Sequence, residues 1–271
     1  MKLKTVILLV LVAFFCSCSR HFQPKVVETE LISVIQTEHS QSNEMSQWLL
    51  PYKTTLDKVM GVKIGESAQK LEAGVPESLL GNFVTEVMKD YAKKHGETVD
   101  FAITNIGGLR DSLPKGELTV GDIYKMFPFD NELVILTLDG EKVKELCQII
   151  AEQGGQVTSG INMVIIEKKG EYIKIGGKLL DLNSGKPVDL KKKYKVLTTD
   201  YLSFGNDGLF PLAEYSDIYS FKMPLREIII DYIKNEYKND RKINAKLNNE
   251  VVLDEKWFLT NSYITIDNKK Y

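Results

Sequence analysis

One helix and the strand after it constrain the fold of this chain most strongly. Between Ser78 and Lys94 the apolar residues recur in pairs every four positions, which predicts an amphipathic helix with one face against a core. Gly96 stands just past its end, as a helix stop signal does. Val99–Ile103 is then a short, mostly apolar segment that predicts a buried strand. The domain therefore contains both helix and strand.

Further helices and strands follow without strict alternation. Thr119 is predicted to cap a helix over Val120–Phe127, with Asp122 as its reciprocal partner. Three more helices are predicted, at Asn43–Met60 with a break near Pro51, Glu141–Glu152 and Pro224–Tyr237. The extended segments are predicted at Leu31–Gln36, Gly61–Ile64, Glu132–Leu138, Ile161–Glu167, Tyr172–Ile175, Lys178–Leu182 and Tyr194–Thr199. This order predicts an α+β fold, a mixed β-sheet with packed helices.

The N-terminus carries an export signal. Two lysines precede an unbroken apolar run, Val6–Phe15, which is too short to span a membrane as a helix. Cysteines follow at its exit, which suggests a bacterial lipoprotein signal cut before Cys18, because Ser17 is small. Cys16 is the alternative lipidated residue, and an ordinary secretory signal with incidental cysteines is another. We therefore expect an exported protein, lipid-anchored to the bacterial membrane and facing the periplasm or the cell surface.

Charge and cysteine content exclude some function classes. The net charge is −2, whereas proteins that bind nucleic acid usually carry a strongly basic surface, so we expect no nucleic-acid partner. Cys147 lies on the apolar stripe of a predicted helix, which indicates a core residue and not a nucleophile.

A first candidate loop follows the strand that ends at Ile103. It holds Asn105, the paired Gly107 and Gly108, and Arg110. Paired glycines let backbone N–H groups approach a ligand, or adopt positive φ, where a side chain would collide. The asparagine amide both donates and accepts, and the arginine adds a planar cation with five donors. The loop suits a polar or anionic small molecule, although a purely structural turn is an equal interpretation.

A second candidate loop runs from Tyr201 to Gly208, after another strand. It presents an aromatic ring and, six residues later, the carboxylate of Asp207, while Phe129 supplies a second ring in a loop-like setting. Two rings could stack on a nucleoside base, at about 1–3 kcal/mol per stacked base, and a carboxylate could accept from ribose hydroxyls. The alternative is that Phe129 and Tyr201 are core residues at strand ends.

Taken together, these segments resemble the C-terminal, substrate-binding domain of the 5′-nucleotidase family, which includes UDP-sugar hydrolases and ecto-5′-nucleotidases. The motifs stand in order along the chain: Leu80-Gly81-Asn82-Phe83, Thr104–Arg110, Thr119–Phe129, Gln156–Gly160, Tyr201–Gly208 and Leu225-Arg226-Glu227. The resemblance implies a domain of that family over residues 63–250. We expect a signal peptide at 1–18, a tether at 19–30, a strand and linker helix at 31–62, and a tail at 251–271.

The resemblance also implies roles for the loop residues. In that family two loop aromatics sandwich the base, a carboxylate binds the ribose, and the Asn-x-Gly-Gly-x-Arg loop contacts base, sugar and phosphate. By position, Phe129 and Tyr201 would stack on the base and Asp207 would bind the ribose. The polar loop would consist of Asn105, Gly107, Gly108 and Arg110.

Two departures from the family pattern bear on the ligand. The second aromatic is commonly Phe, so Tyr201 keeps the stacking face and adds a hydroxyl. Many members also place an arginine shortly before the Gly-Asn of the helix start, whereas residues 75–78 of this chain contain no basic residue. We therefore expect weaker phosphate affinity than in those relatives.

The resemblance does not extend to a catalytic centre. Family nucleotidases cut with a separate N-terminal metallophosphoesterase domain, in which His, Asp and Asn side chains hold two metals. This chain has three histidines, His21, His39 and His95, all in polar surroundings, and no serine or cysteine paired with a histidine base. We expect no catalytic residue, no metal and no cofactor in this chain, with divalent metals only in a partner phosphoesterase.

Three hypotheses for the function follow. The chain could be the nucleoside- or nucleotide-binding half of a split 5′-nucleotidase, docking with a separately encoded metallophosphoesterase subunit through Leu31–Met60. It could be a stand-alone nucleoside- or nucleotide-binding lipoprotein that feeds uptake. It could also be a structural or interaction module.

Overall fold

The computed structural model of the protein describes residues 43–168, 171–181 and 186–253. The signal segment with Cys16 and Cys18, the tether and the predicted strand Leu31–Gln36 lie outside the described residues. The chain divides into two compact units, Met1–Leu49 and Leu50–Tyr271. The sheets and the candidate site belong to the second unit.

Helices and strands are mixed along the described chain, as the sequence predicted. The helices are α1 Asn43–Met60, α2 Leu79–Lys94, α3 Val120–Met126, α4 Gly140–Glu152, α5 Asp200–Ser203 and α6 Leu225–Lys238. The strands are β1 Lys63–Ser67, β2 Phe101–Thr104, β3 Gly116–Thr119, β4 Glu132–Asp139, β5 Val157–Ser159, β6 Ile161–Lys168, β7 Glu171–Asp181, β8 Lys186–Pro187, β9 Lys193–Thr199, β10 Asp217–Pro224 and β11 Val251–Leu253. None of the helices in this part of the chain is long and apolar enough to cross a membrane.

A five-stranded sheet forms the centre of the domain, in the order β10-β4-β9-β2-β5. Strands β2 and β9 are parallel, and the other neighbours are antiparallel. Two smaller sheets accompany it, β1-β3 and β11-β6-β7-β8. This is the predicted α+β fold with a mixed sheet.

Successive residues of the central strands belong to two different cores, as the period of two in a strand requires. Ala102 and Leu197 pack into a cluster with apolar residues of α2, α3 and α6. Phe101, Ile103 and Val196 pack into a second cluster with residues of α4. The strands β2 and β9 are therefore buried on both faces, which explains why β2 is apolar at nearly every position.

Cys147 lies in the second cluster and is fully buried. Burial raises the pKa of its thiol to about 12 because a thiolate would lose its hydration there. The thiol stays protonated at neutral pH, in agreement with the predicted core role.

The predicted capping box opens α3. The Thr119 backbone N–H donates to Asp122 Oδ2 over 2.8 Å, and the Thr119 side chain accepts from the Asp122 backbone N–H over 3.3 Å. At the start of α2, the hydroxyl of Ser78 accepts from the Gly81 backbone N–H. Both helices therefore begin where local hydrogen bonding satisfies the first free N–H groups.

The expected break at Pro51 is wrong. The helix α1 is continuous from Asn43 to Met60 with Pro51 inside it, and the Thr55 hydroxyl donates to the Pro51 carbonyl over 2.9 Å. A proline removes one N–H donor from a helix and more often bends it than ends it when the turns on both sides are formed.

Other boundaries differ from the prediction as well, two of them in the sheet β11-β6-β7-β8. The segments predicted as separate strands around Ile175 and Lys178 form the single strand β7, whose Gly176 pairs with Val164 beside a register shift in β6. Glycine often marks such an irregular position in a strand, so the glycines do not end the strand there. Val251–Leu253, predicted as the start of the tail, forms β11 and pairs in parallel with β6, so regular structure runs three residues further.

Candidate functional site

The candidate site lies at one edge of the central sheet, where four strand ends meet. Parallel pairing of Phe101 with Val196 and of Ala102 with Leu197 places the carboxyl ends of β2 and β9 side by side. The Asn105 loop therefore starts next to the Tyr201 loop. The two flanking strands run the other way, so β4 and β5 begin at this same edge.

The antiparallel strands bring two more segments to this edge. Leu133, near the start of β4, pairs with Thr199 at the end of β9, which places Phe129 and Asp130 beside the second loop. Val157, the first residue of β5, pairs with Thr104 at the end of β2, which places Gln156 beside the first loop. Residues far apart in sequence thus converge because of the sheet order.

Asp200 joins the start of β4 to the second loop. Its Oδ1 accepts from the Glu132 backbone N–H over 3.0 Å and from the Tyr201 backbone N–H over 2.7 Å. One carboxylate oxygen therefore fixes the first residue of the Tyr201 loop against β4.

Asp207 is the centre of the site. Its Oδ2 accepts from Asn105 Nδ2 over 2.6 Å, and its Oδ1 accepts from the Tyr201 hydroxyl over 2.8 Å. The backbone of Asp207 is left-handed, with φ of 56°. A non-glycine residue in that region is uncommon and has to be held there by its surroundings. Its side chain is held by Asn105 of the first loop and by Tyr201 of its own loop.

Arg110 connects Phe129 to this cluster. Its guanidinium carbon lies 5.4 Å from the centroid of the Phe129 ring, within the range of a cation–π interaction. The hydrogen bond to Asp207 is the main cause that raises the pKa of the Tyr201 hydroxyl, and the positive charge of Arg110 opposes this rise. Phe129 packs edge-on against the buried Phe127, with centroids 6.0 Å apart.

The two predicted stacking rings are partly exposed. Phe129 is 36% exposed and Tyr201 is 38% exposed, although most large apolar side chains of the domain are buried. Neither ring is a core residue, so that alternative from the sequence is wrong.

One expectation for the paired glycines was a backbone of positive φ, and the structure does not show it. Neither Gly107 nor Gly108 has positive φ. A Cβ at Gly108 would lie 2.9 Å from Asn105 Oδ1 and 3.2 Å from Phe127, whereas one at Gly107 would lie 3.8 Å from Asp207 Oδ2. Gly108 is therefore required by close packing of its neighbours, whereas a Cβ at Gly107 would make ordinary van der Waals contact with Asn105 and Asp207.

The sequence did not assign a role to several residues that shape the site. Arg226 is buried, donates to Asp130 beside Phe129, and stacks on the Tyr124 ring at 4.0 Å. Gln153 and Gln156 connect the two loops by hydrogen bonds. Arg226 and Gln156 both stand in motifs that carry the family resemblance, which was the available signal. Gln153 had no signal beyond the adjacent glycines.

The seven predicted site residues lie at this one edge, and their roles in binding stay predictions. Across residues 43–168, 171–181 and 186–253, the structure contains no group of three or more His, Cys, Asp or Glu side chains arranged to hold a metal ion. Of the histidines, only His95 is described, and its ring stacks on Tyr91 at the end of α2.

Comparisons with known proteins agree with the resemblance. The family model described as "5′-nucleotidase, C-terminal domain" matches residues 59–215, more than half of the chain. A 5′-nucleotidase of Vibrio parahaemolyticus is 26% identical over 80% of this chain and 40% of its own length. The trifunctional nucleotide phosphoesterase protein YfkN of Bacillus subtilis is 29% identical over 66% of this chain and 13% of its own.

A solved structure shows the same fold. The 5′-nucleotidase precursor of Thermus thermophilus superimposes with a TM-score of 0.66 and 27% identity, over 78% of this chain and 43% of that protein. The chain thus spans less than half the length of these relatives.

The contact between Tyr201 and Asp207 predicts a pH effect. The hydrogen bond to Asp207 is the largest cause of a raised Tyr201 pKa, followed by burial and the carboxylate charge. Replacing Asp207→Ala should lower the Tyr201 pKa, because the neutral hydroxyl loses its acceptor while Arg110 remains. The stabilisation from this pair should be full below the unfolded tyrosine pKa of about 10 and be lost as the pH rises through the folded value.

Titration of ¹³Cζ-labelled tyrosine by NMR measures this pKa, with Tyr201→Phe identifying the signal among the twelve tyrosines. Asp217→Ala, on exposed β10, is the matched control and should leave the signal unchanged. An unaltered Tyr201 pKa in Asp207→Ala would contradict the assigned contact.

Proposed function

We propose a function from one established premise: this chain belongs to the 5′-nucleotidase family, as a C-terminal domain of that family. We infer that it binds the nucleoside part of a nucleotide at the sheet edge around Asp207. Held there, the base and ribose would position the phosphate ester for hydrolysis by a separate metallophosphoesterase subunit.

The observation that carries this proposal is the Asp207 cluster with its two accessible rings. Phe129 and Tyr201 offer apolar faces to a base, and a carboxylate at their side is the acceptor that ribose hydroxyls require. The carboxylate is already oriented by Asn105 and Tyr201. A ligand would therefore meet a preorganised acceptor, which reduces the ordering cost of binding.

Asn105 supplies a second argument for a polar ligand. Its Oδ1 is buried and has no hydrogen-bond partner among the described residues, while its Nδ2 donates to Asp207. An unpaired buried acceptor costs about 1–3 kcal/mol. This oxygen has no accessible surface as it stands, so a ligand N–H or O–H would recover that cost only after the Asn105 side chain shifts.

We propose that the phosphate contributes less to affinity than the nucleoside does. Arg110 is exposed and lies against Phe129, where it can reach a phosphate beside a stacked base. In residues 75–78, Glu77 occupies the region where many relatives carry an arginine, and it accepts from Asn82 and from the Asn248 backbone. That region offers negative charge and not a phosphate contact.

Hydrolysis of a phosphate ester needs an activated water, which family nucleotidases generate with two metals. The relatives that support a nucleotidase role match this chain only over one domain of their length. We propose that a separately encoded subunit supplies the metals and docks through the Leu31–Met60 segment. A stand-alone nucleoside- or nucleotide-binding lipoprotein is the second candidate.

We also propose the export and lipid anchor suggested by the N-terminal sequence. Acylation at Cys18 would hold the domain at the membrane on the periplasmic or outer surface. Labelling of cells with a fatty-acid analogue, lost in Cys18→Ser but retained in Cys16→Ser, would support that residue; the reverse pattern would move the anchor to Cys16.

Binding should depend on the stacking rings. Calorimetry should detect adenosine and AMP, and Phe129→Ala should weaken both by about 1–3 kcal/mol, because one face of the base loses its stacking partner. Tyr237→Ala, an exposed aromatic on α6, is the control and should bind as the unaltered protein does. If no nucleoside or nucleotide binds, the proposed function is wrong.

Catalysis should require two proteins. We expect no AMP hydrolysis by this chain alone and a gain when a candidate metallophosphoesterase subunit is mixed with it. The gain should vanish with the Phe129→Ala variant, because the substrate is then held poorly. Hydrolysis by the second subunit alone that mixing does not increase would leave only the stand-alone binding role.

A further inference from the structure

Two glutamines form a continuous hydrogen-bond chain between the candidate loops. The Ile106 backbone N–H donates to Gln156 Oε1 over 2.8 Å, and Gln156 Nε2 donates to Gln153 Oε1 over 2.8 Å. Gln153 Nε2 then donates to the Asp207 carbonyl over 2.9 Å. This series of hydrogen bonds starts at Ile106 in the first candidate loop. It ends at the backbone carbonyl of Asp207, whose carboxylate is the centre of the site.

The donor-to-acceptor order of these hydrogen bonds requires an amide side chain at both connecting positions. It begins at a donor, Ile106 N–H, and ends at an acceptor, the Asp207 carbonyl. Each connecting side chain must therefore accept at one atom and donate at another, which a primary amide does and a carboxylate or an ammonium group does not. Glutamate in either position would accept the incoming bond but could not donate onward.

The local backbone fixes where these side chains point. Gln153 ends α4, and Gly154 and Gly155 turn the chain with φ of 79° and 121° before β5. A Cβ at Gly155 would lie 2.6 Å from Pro76 Cα, so the turn is packed against that segment. Gln156 is 7% exposed, whereas Gln153 lies at the surface beside the Asp207 loop. The two amides therefore flank a turn that packs closely against Pro76.

The remaining contacts of Asp207 act on its side chain. Asn105 and Tyr201 orient the carboxylate, while Gln153 binds the backbone carbonyl of the same residue, which has φ of 56°. A Cβ at the next residue, Gly208, would lie 3.2 Å from Gln153 Nε2. Gln153 therefore packs on the uncommon backbone that points the carboxylate toward the first loop.

We propose that Gln153 and Gln156 are positioning residues that set the distance between the two loops and aim the Asp207 carboxylate at the ribose hydroxyls. This inference rests on the proposed function, since it assigns a ribose to Asp207. In this role the glutamines act through their hydrogen bonds to Ile106 and Asp207 and not through the ligand. Their loss should therefore weaken contacts to the sugar hydroxyls and spare stacking of the base.

The test compares two probes that differ only in the hydroxyls. Adenosine carries the 2′ and 3′ hydroxyls, and 2′,3′-dideoxyadenosine keeps the base and the sugar ring without them. Gln153→Met should weaken adenosine binding about three- to tenfold, as expected for one lost hydrogen bond, and should change dideoxyadenosine binding less than about twofold. Gln153→Glu should behave in the same way, because it accepts from Gln156 but cannot donate to Asp207.

The matched control is Gln148→Met, the same substitution on the same helix, whose side chain donates to Glu152. It should leave both affinities unchanged. NMR titration measures dissociation constants into the millimolar range, and thermal unfolding of each variant shows whether the fold is intact.

Each result decides the matter. A selective loss for adenosine supports the positioning role. An equal loss for both probes, or no loss for either, overturns it while the nucleoside site stands. Absence of adenosine binding by the unaltered protein would sink the proposed function itself, and this inference with it.

Discussion

The parallel pairing of β2 with β9 is the constraint on which the rest of the site depends. Parallel strands end at the same edge of a sheet; here β2 leads into the Asn105 loop, and β9 leads into the short helix α5, which carries Tyr201. The flanking β4 and β5 run antiparallel and therefore begin at that edge. Asn105, Phe129, Gln156 and Tyr201 meet because of this order, although their positions in the sequence span nearly a hundred residues.

The carboxylate of Asp207 makes the central polar contacts at the sheet edge that this strand pairing creates. Hydrogen bonds to a charged group are worth about 1.5–3 kcal/mol, more than those between neutral groups. Donation from Asn105 therefore joins the two loops, and donation from Tyr201, within the second loop, helps to orient the acceptor. Asp200 and Arg226 play a comparable part at the β4 side, where they fix the Tyr201 and Phe129 segments.

Local sequence signals predicted the parts of the fold that local interactions determine. The apolar spacing of α2, the capping box of α3 and the apolar run of β2 are each visible within a few residues of sequence. The strands β3, β5 and β10 were missed, because each depends on pairing with a strand far away in the sequence and not on its own composition. Pro51 was predicted to interrupt α1 because the low helix propensity of proline was considered alone. The helical turns on both sides of Pro51 were not taken into account.

In the candidate site, too, local sequence signals could be predicted and contacts between distant segments could not. The residue types and the family resemblance located the seven candidate residues, which the sheet order then brings to one edge. The sequence could not show that Tyr201 donates to Asp207, because that contact depends on the left-handed backbone at Asp207. It could not show the glutamine hydrogen bonds either, because they depend on how the fold brings the end of α4 and the start of β5 beside Asp207. Packing at Gly108 likewise depends on Phe127, which lies on another element.

A crystal structure of the protein with adenosine tests the central claim most directly. The account predicts the base between the rings of Phe129 and Tyr201, with the ribose hydroxyls within hydrogen-bonding distance of the Asp207 carboxylate. The Asn105 amide oxygen should then accept from the ligand, and Arg110 should lie on the side of the 5′ carbon. Adenosine bound elsewhere, or bound with its ribose turned away from Asp207, would contradict the account.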